Sequence, residues 1–213
     1  MRDLILGILF IIIVGIGGLV YRNAVEHPTE PIACPMDALL CPDGTAVVRT
    51  GSTCTFPTCP PPNISLAGVG IAFALPAGFV SIGSSDATAI AAYEFPTTSS
   101  TTARLTLRRY PIEASSTALA MIQKTAISGT SGLPVSVTAY SSSVLGTRRF
   151  TIVSIERFEG VIDTAYYLAR GADVLRFDAI DAGVANWTDS NLDVSKLPAH
   201  AALMKLLSTL QGQ

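Results

Sequence analysis

The chain has 213 residues and a net charge of −2, with charged residues making up 14% of it. That charged share is well below the roughly 25% usual for soluble globular proteins. From position 64 to 213 eleven basic residues balance eleven acidic ones, which excludes a nucleic-acid binder that works by bulk charge.

Leu4 to Val20 is a run of seventeen residues without a charge. As a helix it covers roughly 25 Å, slightly less than the bilayer core of about 30 Å; Tyr21 extends it into the interface and Arg22 can snorkel. A cleaved signal peptide needs small residues at −3 and −1 of the cut. A cut after Ala24 puts Arg22 at −3, and one after Gly18 puts Ile16 there. A lipoprotein needs a cysteine just after the apolar run, and the first is Cys34. The expectation is an uncleaved transmembrane anchor over 1–22, with the lipid bilayer as partner through residues 4–20. Flanking charge is a weak guide to its orientation, because Arg2 and Arg22 lie on opposite sides.

Residues 23–33 hold Glu26, Pro28, Glu30 and Pro31 and read as an extended tether. A Cys-rich segment over 34–62 then holds all four cysteines of the protein, Cys34, Cys41, Cys54 and Cys59. An even number of cysteines crowded among Pro-Asp-Gly and Pro-Pro-Pro turns predicts two disulfides, with three pairings open. Zinc sites usually present two cysteine pairs each spaced by about two to four residues; here six, twelve and four residues intervene, so one pair fits at most and no metal is assigned. Disulfides imply an oxidising compartment and so an extracytoplasmic C-terminal domain on a single-pass cell-membrane protein.

The run Leu40-Cys41-Pro42-Asp43-Gly44, with Thr50-Gly51 and Cys54 to Cys59-Pro60, resembles a short Cys-rich module of uncharacterised membrane-anchored proteins of uncultivated small-genome bacteria. The resemblance covers about thirty residues and implies localisation only. Cys41-Pro42-Asp43-Gly44 is also similar to Kazal-type inhibitors, which typically carry six cysteines.

The remainder, 63–213, reads as one α+β domain. Val69 to Leu75, Thr88 to Phe95 and Ala103 to Tyr110 are predicted strands. In the third, Leu105 and Leu107 alternate with Arg104, Thr106 and Arg108, which suggests a sheet with one wet face. Ser115 or Ser116 can cap a helix carrying Leu119, Ile122 and Ala126. Strands follow over Arg148 to Phe158, Val161 to Arg170 and Asp173 to Ile180, joined by Glu159-Gly160 and Gly171-Ala172. Links this short mean antiparallel neighbours. A final helix from Pro198 to Leu210 has the stripe Leu203, Leu206, Leu207 and Leu210. The expected architecture is an antiparallel sheet with helices packed on one face, preceded by one transmembrane helix and a small disulfide-bonded segment. This order, with Gly70-Ile71-x-Phe73-x-Leu75-Pro76-x-Gly78-Phe79 at its start, resembles the PsbP/Mog1-like α/β fold, whose members serve mostly as binding or accessory proteins.

Catalytic signals are few. The single histidine of the body, His200, is expected on the surface of the last helix, away from the leucine stripe. No Gly-x-Ser-x-Gly elbow, P-loop or Gly-x-Gly-x-x-Gly is present, so no catalytic residue and no cofactor is assigned. Asp189-x-Asn191-x-Asp193 opens like a calcium loop, but Val194 and His200 occupy its glycine and glutamate positions, so capping and turn roles are expected. Asp178, Asp181 and Asp189 are the acids that could gather near a cation. Asn63-Ile64-Ser65 and Asn186-Trp187-Thr188 match the glycosylation pattern, idle in a bacterial host.

The candidate binding residues are Arg104, Arg108 and Arg176, which can share the wet sheet face, and Trp187, the only tryptophan. The reading is a membrane-tethered extracytoplasmic binding or accessory protein rather than an enzyme, with an envelope protein as partner and no nucleic acid. The alternatives are an enzyme with an unrecognised site and an inhibitor-like role for the Cys-rich segment.

Overall fold

The computed structural model describes residues 2–26, 33–41, 46–59, 61–84, 86–96 and 101–212. Helix α1 runs Arg2–Glu26, four residues past the expected end of the anchor at 22. Its 25 residues span about 37 Å, enough to cross a bilayer core. The window Ile5–Arg22 has a mean hydropathy of 2.3 and none of it is buried against protein.

The chain divides into two compact units. One holds residues 1–38 and 48–57, the other residues 39–47 and 58–213. The first contains α1 and a knot closed by a disulfide between Cys34 and Cys54. In the knot, Arg49 lies 4.2 Å over the Phe56 ring and donates from Nε to Asp37 at 2.7 Å and from Nη1 to the Cys54 carbonyl at 3.0 Å. The second unit is closed near its start by a disulfide between Cys41 and Cys59. The pairing is therefore first to third and second to fourth. Strands β1 (Ala38–Leu40) and β2 (Ala46–Val48) form a two-stranded ladder. The turn Pro42-Asp43-Gly44 and the tether residues 27–32 lie outside the described residues.

The second unit is built on an antiparallel sheet of seven strands. In chain order these are β5 (Val80–Ile82), β6 (Ala89–Phe95), β7 (Thr102–Pro111), β8 (Ser141–Leu145), β9 (Arg148–Phe158), β10 (Val161–Ala169) and β11 (Asp173–Ala182). In space the order is β5-β6-β7-β11-β10-β9-β8, so β11 is the central strand. A smaller sheet places β4 (Ile71–Phe73) between β3 (Ile64–Leu66) and β12 (Gln211–Gly212). The α+β class and the antiparallel pairing match expectation. The predicted strand over 69–75 shortens to Ile71–Phe73, because a 3-10 turn over Ala67–Val69 ends in left-handed Gly70, at a φ of 65°. Glu159 and Gly160 both take positive φ, 49° and 79°, which gives the β9–β10 hairpin the primed turn that matches strand twist.

The helices divide between the two faces of the sheet, where the sequence reading put both on one. Helix α3 (Pro198–Ser208) covers the face of Leu105, Leu107, Phe150, Leu175 and Phe177 with Leu203, Leu206 and Leu207. Helix α2 (Ala118–Thr125) covers the opposite face, where Met121, Ile122 and the adjoining Ala126 pack on Val153, Ala165, Tyr167 and Val174. The physical reason is that β9, β10 and β11 are apolar on both sides, so a single helical layer would leave one apolar face bare. The cap of α2 is Thr117, whose Oγ1 accepts from the Ala120 N–H at 3.1 Å; Ser115 and Ser116 precede it. Thr117→Ala is expected to cost about 1 kcal/mol, read as a shift of the urea midpoint at unchanged slope.

Candidate functional site

Two clusters of buried polar groups flank the central strand, one on each face. The first stands on the face shared with α2. Arg108 on β7 lies directly opposite Arg176 on β11. Like charges in such a register repel. Asp178, two residues along β11 on the same face, relieves them. Its Oδ1 accepts from Arg176 Nε at 2.6 Å, and its Oδ2 accepts from Arg108 Nη1. The ladder extends both ways. Arg108 Nε donates to Asp86 at 2.7 Å, and Arg176 Nη1 donates to the Thr125 carbonyl at the end of α2 at 2.6 Å. The Arg176 guanidinium also stands 5.6 Å over the Tyr167 ring.

The cluster contains one unmatched acid. Asp163 on β10 faces Glu156 on β9 at a bulge in their ladder, and its Oδ1 is buried without a partner. Burial, and after it the charge of Asp178, pushes the Asp163 carboxyl up to about 8. Burial raises Asp178 too, against the pull of Arg176 and Arg108. Of these two coupled acids, Asp163 carries the proton at neutral pH, because both oxygens of Asp178 already accept from guanidiniums. Asp86 differs: hydrogen bonds from Arg108 and Thr88 hold it down to about 2. The network is thus charge-balanced at pH 7, with a proton-bearing carboxyl beside it.

Of the predicted binding residues, Arg108 and Arg176 are brought together. Arg104 shares their face but pairs with its cross-strand neighbour Glu94 at 2.7 Å, and its side chain is half exposed. Arg104→Ala is expected to change stability by less than about 1 kcal/mol in thermal melts, as for exposed ion pairs generally. Trp187 is set apart. It lies in the loop after β11, with its half-buried ring 5.9 Å from that of Phe158 at the β9–β10 turn. Arg157 ties that loop down, donating to the carbonyls of Trp187 and Asp189.

The second cluster corrects the sequence reading. His200 is 1% exposed, not a surface residue. Its Nδ1 is 2.9 Å from Asp181 Oδ2, and Asp181 Oδ1 also accepts from the Ala199 N–H at 2.7 Å. Asp181 therefore caps α3 from β11 and holds the imidazole, while His200 Nε2 is buried without a partner. The signal for this was present in the strand: odd positions of β11 face α3, so Asp181 had to meet the start of that helix. Asp178 and Asp181 consequently lie on opposite faces and do not gather around a cation. Asp189 and Asp193 take turn and capping roles, accepting from the Asn191 and Ser195 N–H groups.

Asp181 lines a cavity of about 370 Å³, with Ala103, Val184 and Pro198. An apolar groove of about 730 Å³ runs between Pro61, Pro62, Ala74 and Thr209. Asp163 lines neither. Among the described residues no three His, Cys, Asp or Glu side chains are grouped to hold a metal ion.

No protein-family description and no curated protein matches the chain. Similar solved structures include the solution structure of cyanobacterial PsbP from Synechocystis sp. PCC 6803, at 12% identity and a TM-score of 0.47, covering 70% of this chain and 91% of that one. A crystal structure from Bacteroides thetaiotaomicron VPI-5482 is 10% identical with a TM-score of 0.42. It covers 68% of this chain, which spans 46% of the Bacteroides chain.

Proposed function

We propose that the chain is a binding or accessory module tethered to the cell membrane by α1, with its folded unit outside the cytoplasm. The observation that carries this reading is the pairing of an apolar helix with two disulfides. Every side chain described from Ile5 to Arg22 is exposed, so no protein core accounts for the apolar run. All four cysteines are oxidised in pairs, which favours an oxidising compartment. Tethering raises the module's local concentration near an envelope protein partner. The charge-balanced sheet face favours no single ligand charge.

The test is labelling with a membrane-impermeant maleimide. Intact cells are expected to label only after reduction. Labelling without reductant, and only after lysis, means cytoplasmic thiols and overturns both the orientation and the tethered role. Extraction of the full chain by alkaline carbonate overturns the anchor.

A further inference from the structure

We propose that the knot closed by Cys34 and Cys54 seats on the lipid headgroup layer beside its own anchor, through an apolar concavity formed by Pro35, Met36, Ala38 and Val48. This rests on the anchoring proposed above. The four residues line one concavity of about 320 Å³, with the Asp37–Arg49 pair at the same site. Met36 is 106% exposed and Val48 59%. The disulfide and the Arg49–Phe56 stack are the half-buried part of the knot, and Met36 and Val48 face outward beside them. Asp37 and Arg49 neutralise each other at 2.7 Å, so among the described residues that line the patch no unpaired charge opposes contact with lipid.

Chain length names the occupant. Only residues 27–32 separate the end of α1 at Glu26 from Ala33. Seven Cα steps reach at most about 25 Å. With α1 in the bilayer, the knot is confined to that distance from the headgroup layer, itself about 5–8 Å thick on each side. An apolar patch held so close meets lipid at the high effective concentration of a tethered group, whereas a soluble partner has to arrive by diffusion. The pattern of aliphatic side chains beside a neutral ion pair suits the interface, where apolar groups sink and polar ones stay wet.

The experiment places a tryptophan in the patch of the full chain, with the native one removed (M36W in a W187F background). The protein is reconstituted into phosphatidylcholine–phosphatidylglycerol vesicles, plain or brominated near the top of the acyl chains. A second variant, S52W, probes the same knot outside the patch, and L19W probes the anchor. Brominated lipid is expected to lower M36W emission roughly twofold and to leave S52W nearly unchanged, since a seated indole lies at headgroup depth. Equal quenching of M36W and S52W means tether proximity alone and overturns the proposal. Quenching of L19W without M36W keeps the anchor and removes the seat, leaving the patch to a protein partner. Quenching of neither removes both.

Discussion

Asp163→Asn is expected to stabilise the protein at alkaline pH, on the order of 3 kcal/mol, and to flatten its pH dependence. Asp163 titrates near 8 in the folded chain, against an ordinary value of 3.8. Between those two values the folded state holds a proton that the unfolded state has released. Stability linked to this group is therefore fully present below pH 3.8 and is lost as pH rises through 8. Asparagine has no proton to lose and can keep an amide where the neutral acid stood. The gain falls below the full linkage value because Asp163 buries its Oδ1 while the residue as a whole keeps some contact with solvent. Urea unfolding of the micelle-bound full chain at pH 5, 7 and 9 checks this. Wild type should weaken relative to D163N across that series, and parallel curves would sink the assignment of the proton to Asp163. The acid limb should survive in the variant. Asp86, held down to about 2, contributes stability above its ordinary 3.8 that is lost as pH falls toward 2.

Asp178→Asn is the most damaging single change expected in the polar network. It leaves Arg108 and Arg176 facing each other across β7 and β11 without the carboxylate that both bond. Removing one member of a buried ion pair costs about 3–5 kcal/mol, because the remaining charge stays desolvated. Two further outcomes separate this cause from loss of packing. Replacing the pair together, Arg176→Met with Asp178→Leu, should cost less than D178N alone, since it buries no orphan charge. The D178N defect should also shrink between pH 6 and pH 9. Burial still raises Asp163, but the Asp178 charge that adds to it is then gone, and Asp163 can ionise as substitute counter-charge to Arg176 and Arg108, both of which already act on it. A defect of equal size at both pH values would show that Asp163 is not coupled to the arginines.

The local features of this protein were legible because they are periodic. Residues 4 to 20 are apolar on every side, and only a helix in lipid or a thick core satisfies such a run. The alternation of Leu105 and Leu107 with Arg104 and Arg108 marked β7, and the leucine spacing after Pro198 marked α3. The short links at Glu159-Gly160 and Gly171-Ala172 fixed β9, β10 and β11 as antiparallel neighbours. The weak strands β5 and β8 carried no such pattern. They lie at the sheet edges, where each is paired on one side only and burial selects less strongly for apolar side chains.

What tertiary structure decided are the relations between segments distant in the chain. Spacing left three disulfide pairings open, and folding selected Cys34–Cys54 and Cys41–Cys59. No local pattern says that β7 lies beside β11, yet that neighbourhood sets Arg108 opposite Arg176 and makes Asp178 their shared counter-ion. The helical wheel placed His200 off the leucine stripe, but Asp181 reaches from β11 and draws the first turn of α3 into the core. A charge or an imidazole is buried or exposed according to what stands opposite it. The sequence by itself determined the strongly periodic helices and strands and the apolar N-terminal run, because backbone periodicity is a local property; the partner of each buried polar group was decided only when the sheet closed, because desolvation is a property of the packed whole.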